Sequence, residues 1–353
     1  MRRNWRQRIT ITDLVVWGIG IAIGAVVVIG TIATLKSGKY APSTWVDLSI
    51  KGLALGGVYA LIAMGYTLVY GVLRMINFAH SEVFMSGPFT AVFLANYLAR
   101  TGFLDRQPAL SMLMILLLSM AVSMSIALLL ERVAYRPLRT APRLVPLITA
   151  IGASFFLQYT FRGLYGSGFE AYPIPKVLQG SIQLGTIRLF YTQIVAILGA
   201  VLMMIILYTI VQRTKMGKAM RTISEDKEVA AMMGIDVDRT IAFTFALGGL
   251  SAGAAGILYS LLFPVVNFFM GFFPGLKAFT AAVLGGIGNV AGAFLGAIII
   301  GLLESVGPNL FLDGLGIPTP SQLKDAIAFT ILVFILIFRP TGILGERVAQ
   351  SKA

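Results

Sequence analysis

The chain has 353 residues, 57% of them hydrophobic and only 12% charged, with a mean hydropathy of +0.86; a soluble globular domain carries about twice that charged fraction, so the composition is that of an integral membrane protein. The 28 Lys and Arg against 15 Asp and Glu give a net charge of +13, but the basic residues flank apolar runs, which makes lipid rather than nucleic acid their counterpart. Absence of cysteine excludes disulfides, thiol chemistry and soft metal sites, and a single histidine excludes a histidine metal cluster.

From the N-terminus, MRRNWRQR leads into an apolar run that outlines a signal peptide but is too long and lacks a small-residue cleavage site, so it is expected to persist as a first span. Runs near the roughly 20 residues that cross a hydrocarbon core follow at Thr12–Leu35, Asp47–Gly71, Phe78–Leu98, Ala109–Leu130, Leu144–Gly163, Tyr191–Val211, Thr240–Leu262 and Leu323–Phe338. Another, Leu276–Val306, is too long for one crossing and is interrupted by Gly285, Gly286, Gly288 and Asn289. The expected fold is an all-α polytopic membrane protein of about eight to ten transmembrane segments, with interrupted or re-entrant helices and a candidate internal repeat. Residues 1–353 are expected to form one transmembrane domain.

Asn77, Phe78, Ala79, His80 and Ser81 close one apolar helix and open another, and Asn289 to Ala293 repeat the pattern of Asn, apolar, Ala, variable, small. Interrupted helices leave backbone groups and helix ends free to bind polar ligands, and transporters place substrate at such breaks. An amino-acid zwitterion would need amide donors at a helix start for its carboxylate, carbonyls for its ammonium and an apolar recess for its side chain. Asn77, His80, Ser81 and Asn289 are therefore the candidate pathway residues. His80 and Glu82 are ionisable groups close to the expected cytosolic end of the third run, where water could reach them; such groups are functional or paired.

Basic loops orient the chain. Arg2, Arg3, Arg6 and Arg8 place the N-terminus in the cytosol, Arg132, Arg136, Arg139 and Arg143 place the loop after the fourth run there, and Lys215 to Arg239 follows suit. Arg339, Arg347 and Lys352 belong inside, whereas Gly307 to Gln322 carries no Lys or Arg and belongs outside. These rules agree if the broken run forms two short helices, with both termini cytosolic. The extracytoplasmic loop 164–190 is expected to hold two short strands, around Ile182–Leu184 and Ile187–Leu189, on either side of Gly185 and Thr186.

Residues 212–239 form the one long polar segment between apolar runs, and a cytosolic coupling segment is expected there. Ser224 is expected to cap a helix, with Glu225, Asp226 and Glu228 in the first turn, Val229, Ala230, Met232 and Met233 supplying an apolar face, and Gly234 stopping it. A short capped amphipathic helix between two spans suits the docking of a cytosolic partner; an ordinary solvated loop helix is the plainer alternative. Glu131 and Glu304 are expected to snorkel or pair near span ends, and Lys277 to face the external interface. Gly20 with Gly24, Gly52 with Gly56, Gly249 with Gly253, and Gly292 with Gly296 are spaced for close helix contact. There is no phosphate-binding loop of the G-x-x-x-x-G-K-[ST] type, no zinc-protease motif and no nucleophile elbow, so the chain is not expected to be an enzyme.

Five blocks carry a resemblance: GYTLVYGVLRMINFAHSEVFMSG from Gly65, ERVAYRPLR from Glu131, the polar segment, LKAFTAAVLGGIGNVAGAFLGAIIIGLLE from Leu276, and RPTGILG from Arg339. In this order, between about Asp47 and Gly345, the chain resembles the LivH family, permease subunits of ATP-binding-cassette importers for branched-chain amino acids. The resemblance implies a permease of the prokaryotic inner membrane that pairs with a LivM-like second permease or a second copy and receives substrate from an extracytoplasmic binding protein. Two cytosolic subunits that bind ATP and Mg would drive it, with no cofactor in this chain. The family's coupling region aligns with Gly217–Asp238, which makes Arg221, Ser224, Glu225, Asp226, Met232, Met233 and Gly234 the candidate ATPase contacts. The chain departs from the family at Ser81, where glycine is frequent, and at Pro88. Relatives in the superfamily import urea, amides, polar amino acids and sugars, and an ion-coupled carrier or a channel are rival classes.

Overall fold

The computed structural model describes residues 11–139, 141–142, 144–339 and 341–345. Arg2, Arg3, Arg6, Arg8, Arg143, Arg347 and Lys352, which carry part of the orientation argument, lie outside the described residues. In chain order the helices are α1 (Ile11–Ser37), α2 (Pro42–Leu73), α3 (His80–Arg100), α4 (Phe103–Arg106), α5 (Pro108–Leu130), α6 (Leu144–Tyr165), α7 (Tyr191–Arg213), α8 (Lys215–Glu225), α9 (Lys227–Met232), α10 (Val237–Leu262), α11 (Phe272–Gly285), α12 (Val290–Gly307) and α13 (Lys324–Phe338). Among the described residues, eight helical stretches are long and apolar enough to cross a membrane: those of α1, α2, α5, α6, α7, α10 and α12, and α13 together with the turn before it, Pro320–Phe338. The protein is an all-α polytopic membrane protein. The expected strands are present as β2 (Ser181–Leu184) and β3 (Ile187–Phe190), antiparallel around Gly185, and a second small pair joins β1 (Glu170–Ala171) to β4 (Val265–Val266).

Helices α2 and α10 form the centre and are buried over most of their length, whereas α1, α6, α7 and α13 turn large apolar side chains outward. Glycine sets the closest crossings. A Cβ on Gly52 or Gly56 of α2 would sit 2.9 Å from the Cα of Leu302 or Ile298 on α12, and one on Gly249 or Gly253 of α10 would sit 2.7 Å from Met124 or Met120 of α5. Gly292 and Gly296 of α12 likewise meet the α11 backbone. The fourth pair behaves otherwise: a Cβ on Gly20 would meet the Phe338 ring at 3.2 Å, but one on Gly24 would meet no other helix within 4 Å, because α1 joins the bundle through Gly30 against Phe311.

Side-chain links fix which helix ends share a face. Asp47 at the start of α2 accepts from the backbone of Arg188 in the β2–β3 pair, while Arg74 just past the end of α2 reaches α8. Residues 164–190 and the α8–α9 segment therefore lie at opposite ends of the bundle. Helix α12 runs antiparallel to α2, with Ser305 donating to Leu48, so the break between α11 and α12 lies on the α8–α9 face. The expected pair of short helices in 276–306 is present, α11 and α12, folded against each other at Gly285 and Gly292.

Candidate functional site

Helix α2 closes on Arg74, which adopts the left-handed conformation (φ 55°, ψ 28°) and donates its backbone N–H to Tyr70. Chain direction then reverses into the bundle. A Cβ on Gly65 would overlap the His80 ring, so α3 begins beside the last third of α2, about 12 Å back from Leu73 along the helix. Only glycine at 65 leaves room for the imidazole, while a Cβ on Gly248 would make ordinary contact with it at 3.5 Å; the ring packs edge-on against Tyr66 at 4.9 Å. Helix α11 starts at the same depth: Gly271 and Gly275 lie directly against Ser81, with no room for a Cβ. From this meeting point α3 runs toward the face carrying 164–190 and α11 toward the α8–α9 face, so two interrupted helices bring their positive N-terminal ends together inside the bundle.

Around this point the polar groups are buried. Asn77 accepts from the Tyr135 hydroxyl at 2.5 Å, and Ser81 donates to the Phe78 carbonyl at 2.8 Å. Glu82, fully buried, accepts through one oxygen from Ser154 (3.2 Å) and Gln158 (3.5 Å) of α6. Its other oxygen and the Nε2 of His80 have no hydrogen-bond partner among the described residues. Water access to His80 and Glu82 was expected at a helix end; because α3 begins deep beside α2, α10 and α6, both are buried instead. Burying a polar atom unpaired costs about 1–3 kcal/mol. These two unpaired polar atoms make the break the candidate site for a polar ligand.

One turn into α11, Lys277 is buried rather than interfacial. Its ammonium lies 2.6 Å from Glu304 of α12 and 2.6 Å from Asp325 of α13, and the Tyr59 hydroxyl of α2 donates to the second oxygen of Glu304 at 2.9 Å. The expected interfacial position fails because α12 and α13 carry complementary carboxylates to the same depth. Glu304 pairs as expected, and Glu131 pairs with Arg139.

On the opposite face the polar segment folds as two helices, not one. Thr214 caps α8, accepting from Gly217 at 3.0 Å, and Asp226 caps α9, accepting from Glu228 (2.9 Å) and Val229 (3.0 Å). Ser224 is not a cap: it lies in the last turn of α8, and its hydroxyl donates to Arg221. A helix already capped at Thr214 reaches Glu225, and the carboxylate two residues on takes the next start. Gly234 (φ +82°) ends α9 as expected, with the Gly234 and Ile235 amides returning to Ala231 and Ala230. Met232 and Met233 project into solvent, 79% and 72% exposed. Arg221, Glu225 and Asp226 share that exposed surface.

Residues 48–336 match the family described as branched-chain amino acid transport system / permease component. The chain belongs to this family. The permease is 42% identical over 302 residues to the high-affinity branched-chain amino acid transport system permease protein BraD of Pseudomonas aeruginosa, covering 84% of this chain and 94% of that one. It is 39% identical to the corresponding LivH of Escherichia coli over the same shares, and 28% identical to a LivH of Methanocaldococcus jannaschii over 81% of this chain and 88% of that one.

In this permease Asn77, His80 and Ser81 come together at the break before α3, with Glu82 beside them. Asn289 does not join them. It caps α12, accepting from Gly292 at 3.0 Å and donating to Leu344 at 3.0 Å, about the length of α11 away, roughly 20 Å. The similar segments 77–81 and 289–293 thus both open helices but at different depths, and the structural counterpart of the first break is the one before α11. Sequence reasoning missed Arg74, Tyr135 and the Lys277 cluster. A basic residue at the end of the α2 run and charges flanking three separate runs were the available signals.

Proposed function

We propose that this permease is the membrane subunit of an ATP-binding-cassette importer that carries branched-chain or other neutral amino acids across the prokaryotic inner membrane. The similarity to BraD along almost the whole of both chains carries this reading. In the assembly it pairs with a second permease or a second copy, takes solute from an extracytoplasmic binding protein at the face formed by 164–190, and is worked by two ATPase subunits that hold ATP and Mg. Both termini lie in the cytosol with α8 and α9. The basic residues Arg132, Arg136 and Arg139 on the α8–α9 side support that orientation.

The exposed methionines of α9 are suited to a groove on the ATPase, being flexible and polarizable, and Arg221, Glu225 and Asp226 orient the contact. Closure of the ATPases displaces α8 and α9, and α3 and α11 part where Ser81 meets Gly271, opening the way past His80 and Glu82. Reconstituted vesicles holding the full set of subunits test this. ATP inside should drive leucine accumulation that survives collapse of ion gradients; accumulation that tracks the gradient and ignores ATP would make the protein an ion-coupled carrier. A panel of leucine, urea, amides and polar amino acids in the same vesicles identifies the solute.

A further inference from the structure

Two routes of side chains join the α8–α9 segment to the break before α3, one from the junction of α8 with α9 and one from the start of α10 just past the segment. At the junction, the carbonyl of Ser224 belongs to the last turn of α8, where carbonyls lack intrahelical partners and the helix dipole is negative. Arg74 donates to it from its guanidinium at 2.5 Å while its own backbone terminates α2. One residue therefore ends two helices, in a left-handed conformation that, among the described residues, only Thr319 shares outside glycine. Such a conformation in a long side chain persists where its surroundings hold it.

Beyond α9, Asp238 in the first turn of α10 takes both Arg136 and Arg139. Arg139 also pairs with Glu131, and both of these side chains are buried, 9% and 6% exposed. Glu131 opens a five-residue π-helical turn, Glu131–Tyr135, whose Tyr135 donates to Asn77 in the middle of the break. The segment 74–79 is thus held by Arg74 at its start and by Asn77 at its centre. Its other end delivers His80, Ser81 and Glu82 onto α3 and against α11.

We infer that Arg74 and Arg139 are positioning residues that carry displacement of α8 and α9 into the helix break, so that ATP hydrolysis and opening of the pathway stay linked. Neither residue touches the solute. This rests on the importer reading above, and supposes that the partner ATPases act on α8 and α9. If α8 moves with its partner, Arg74 draws the start of the break; if α10 turns at Asp238, Arg139, Glu131 and Tyr135 draw its centre. Two attachments on one short segment rotate it rather than merely shift it, and that motion separates Ser81 from Gly271 and Gly275.

The test uses the full importer in vesicles, reading solute uptake and ATP hydrolysis on the same sample. Arg74→Gly keeps the left-handed backbone without strain and removes the guanidinium; Arg139→Gln cuts the second route, and where it fails to accumulate, Asp238→Asn cuts that route at its exposed end. The expected result is an assembled, hydrolysing complex whose uptake per ATP falls by about tenfold in either variant, within the range of a coupling between two sites. Arg74→Lys should recover part of the ratio. An unchanged ratio in Arg74→Gly and in the second-route variant overturns the inference, as does a parallel loss of hydrolysis and uptake with the ratio preserved, which is the mark of a purely structural role. Wild-type vesicles without ATP-driven uptake overturn the importer reading itself, and the linkage with it.

Discussion

Removing Lys277 tests the buried charge cluster that holds α11 to its neighbours. Lys277→Met leaves Glu304 with the Tyr59 hydroxyl at 2.9 Å and the partly exposed Lys324 at 3.9 Å, while Asp325, about a third exposed, can take water. The uncompensated charge is then mainly that of Glu304, which is 3% exposed. Breaking a buried ion pair from one side costs about 3–5 kcal/mol. With roughly 2 cal/mol/K of unfolding entropy per residue, a chain of 353 residues turns that into a fall of about 4–7 °C in melting temperature. The assay is thermal unfolding of the detergent-solubilised permease, followed by size-exclusion of the fraction that stays monodisperse. Lys277→Met with Glu304→Gln should recover about half of the loss or more, because replacing both charges removes the desolvation cost as well as the attraction. A single variant melting with the wild type, or a double variant worse than the single, would refute a paired, buried cluster.

Asp226→Ala should weaken α9 locally by about 0.5–2 kcal/mol, read as faster hydrogen exchange over 227–232, whereas Ser224→Ala should leave that protection unchanged. Tyr135→Phe leaves the buried Asn77 oxygen without its donor and should destabilise the permease by about 1–3 kcal/mol in denaturant titration; an unchanged midpoint would mean the bond is not formed. The backbone N–H and ammonium of Lys176 hold the Asp105 carboxyl below the usual aspartate range. That contact is present above the unfolded carboxyl value of about 4 and is lost as pH falls through the lower folded value, so exchange at the Lys176 amide should accelerate only in acid.

Much of the architecture was legible because hydropathy fixes what must cross lipid, and the ends of most expected runs lie within a few residues of the helices. The breaks were legible through glycine and asparagine, as at Gly285–Asn289, and β2–β3 through alternation around Gly185. Depth was not legible. Nothing local in Asn77–Ser81 says that α3 restarts beside Gly65 rather than at the surface, since the reason is a recess made by Gly65 and Gly248 on two other helices. The Lys277 cluster was hidden for the same reason: its charges come from α11, α12 and α13, each alone looking like a charge at a span end, and Tyr59 of α2 carries no charge to flag it. In the polar segment the cap was misplaced by two residues because Ser224 and Asp226 are both competent, and Thr214 upstream decided which was needed.

The central claim is that partner ATPases work this conduit through α8 and α9. Its most direct test is ATP-driven leucine uptake by vesicles carrying the full importer with Glu225→Lys, Asp226→Lys and Met232→Asp combined in the permease. The expected result is loss of uptake together with loss of the ATPases from the purified complex. Normal uptake with the ATPases still bound would contradict the claim.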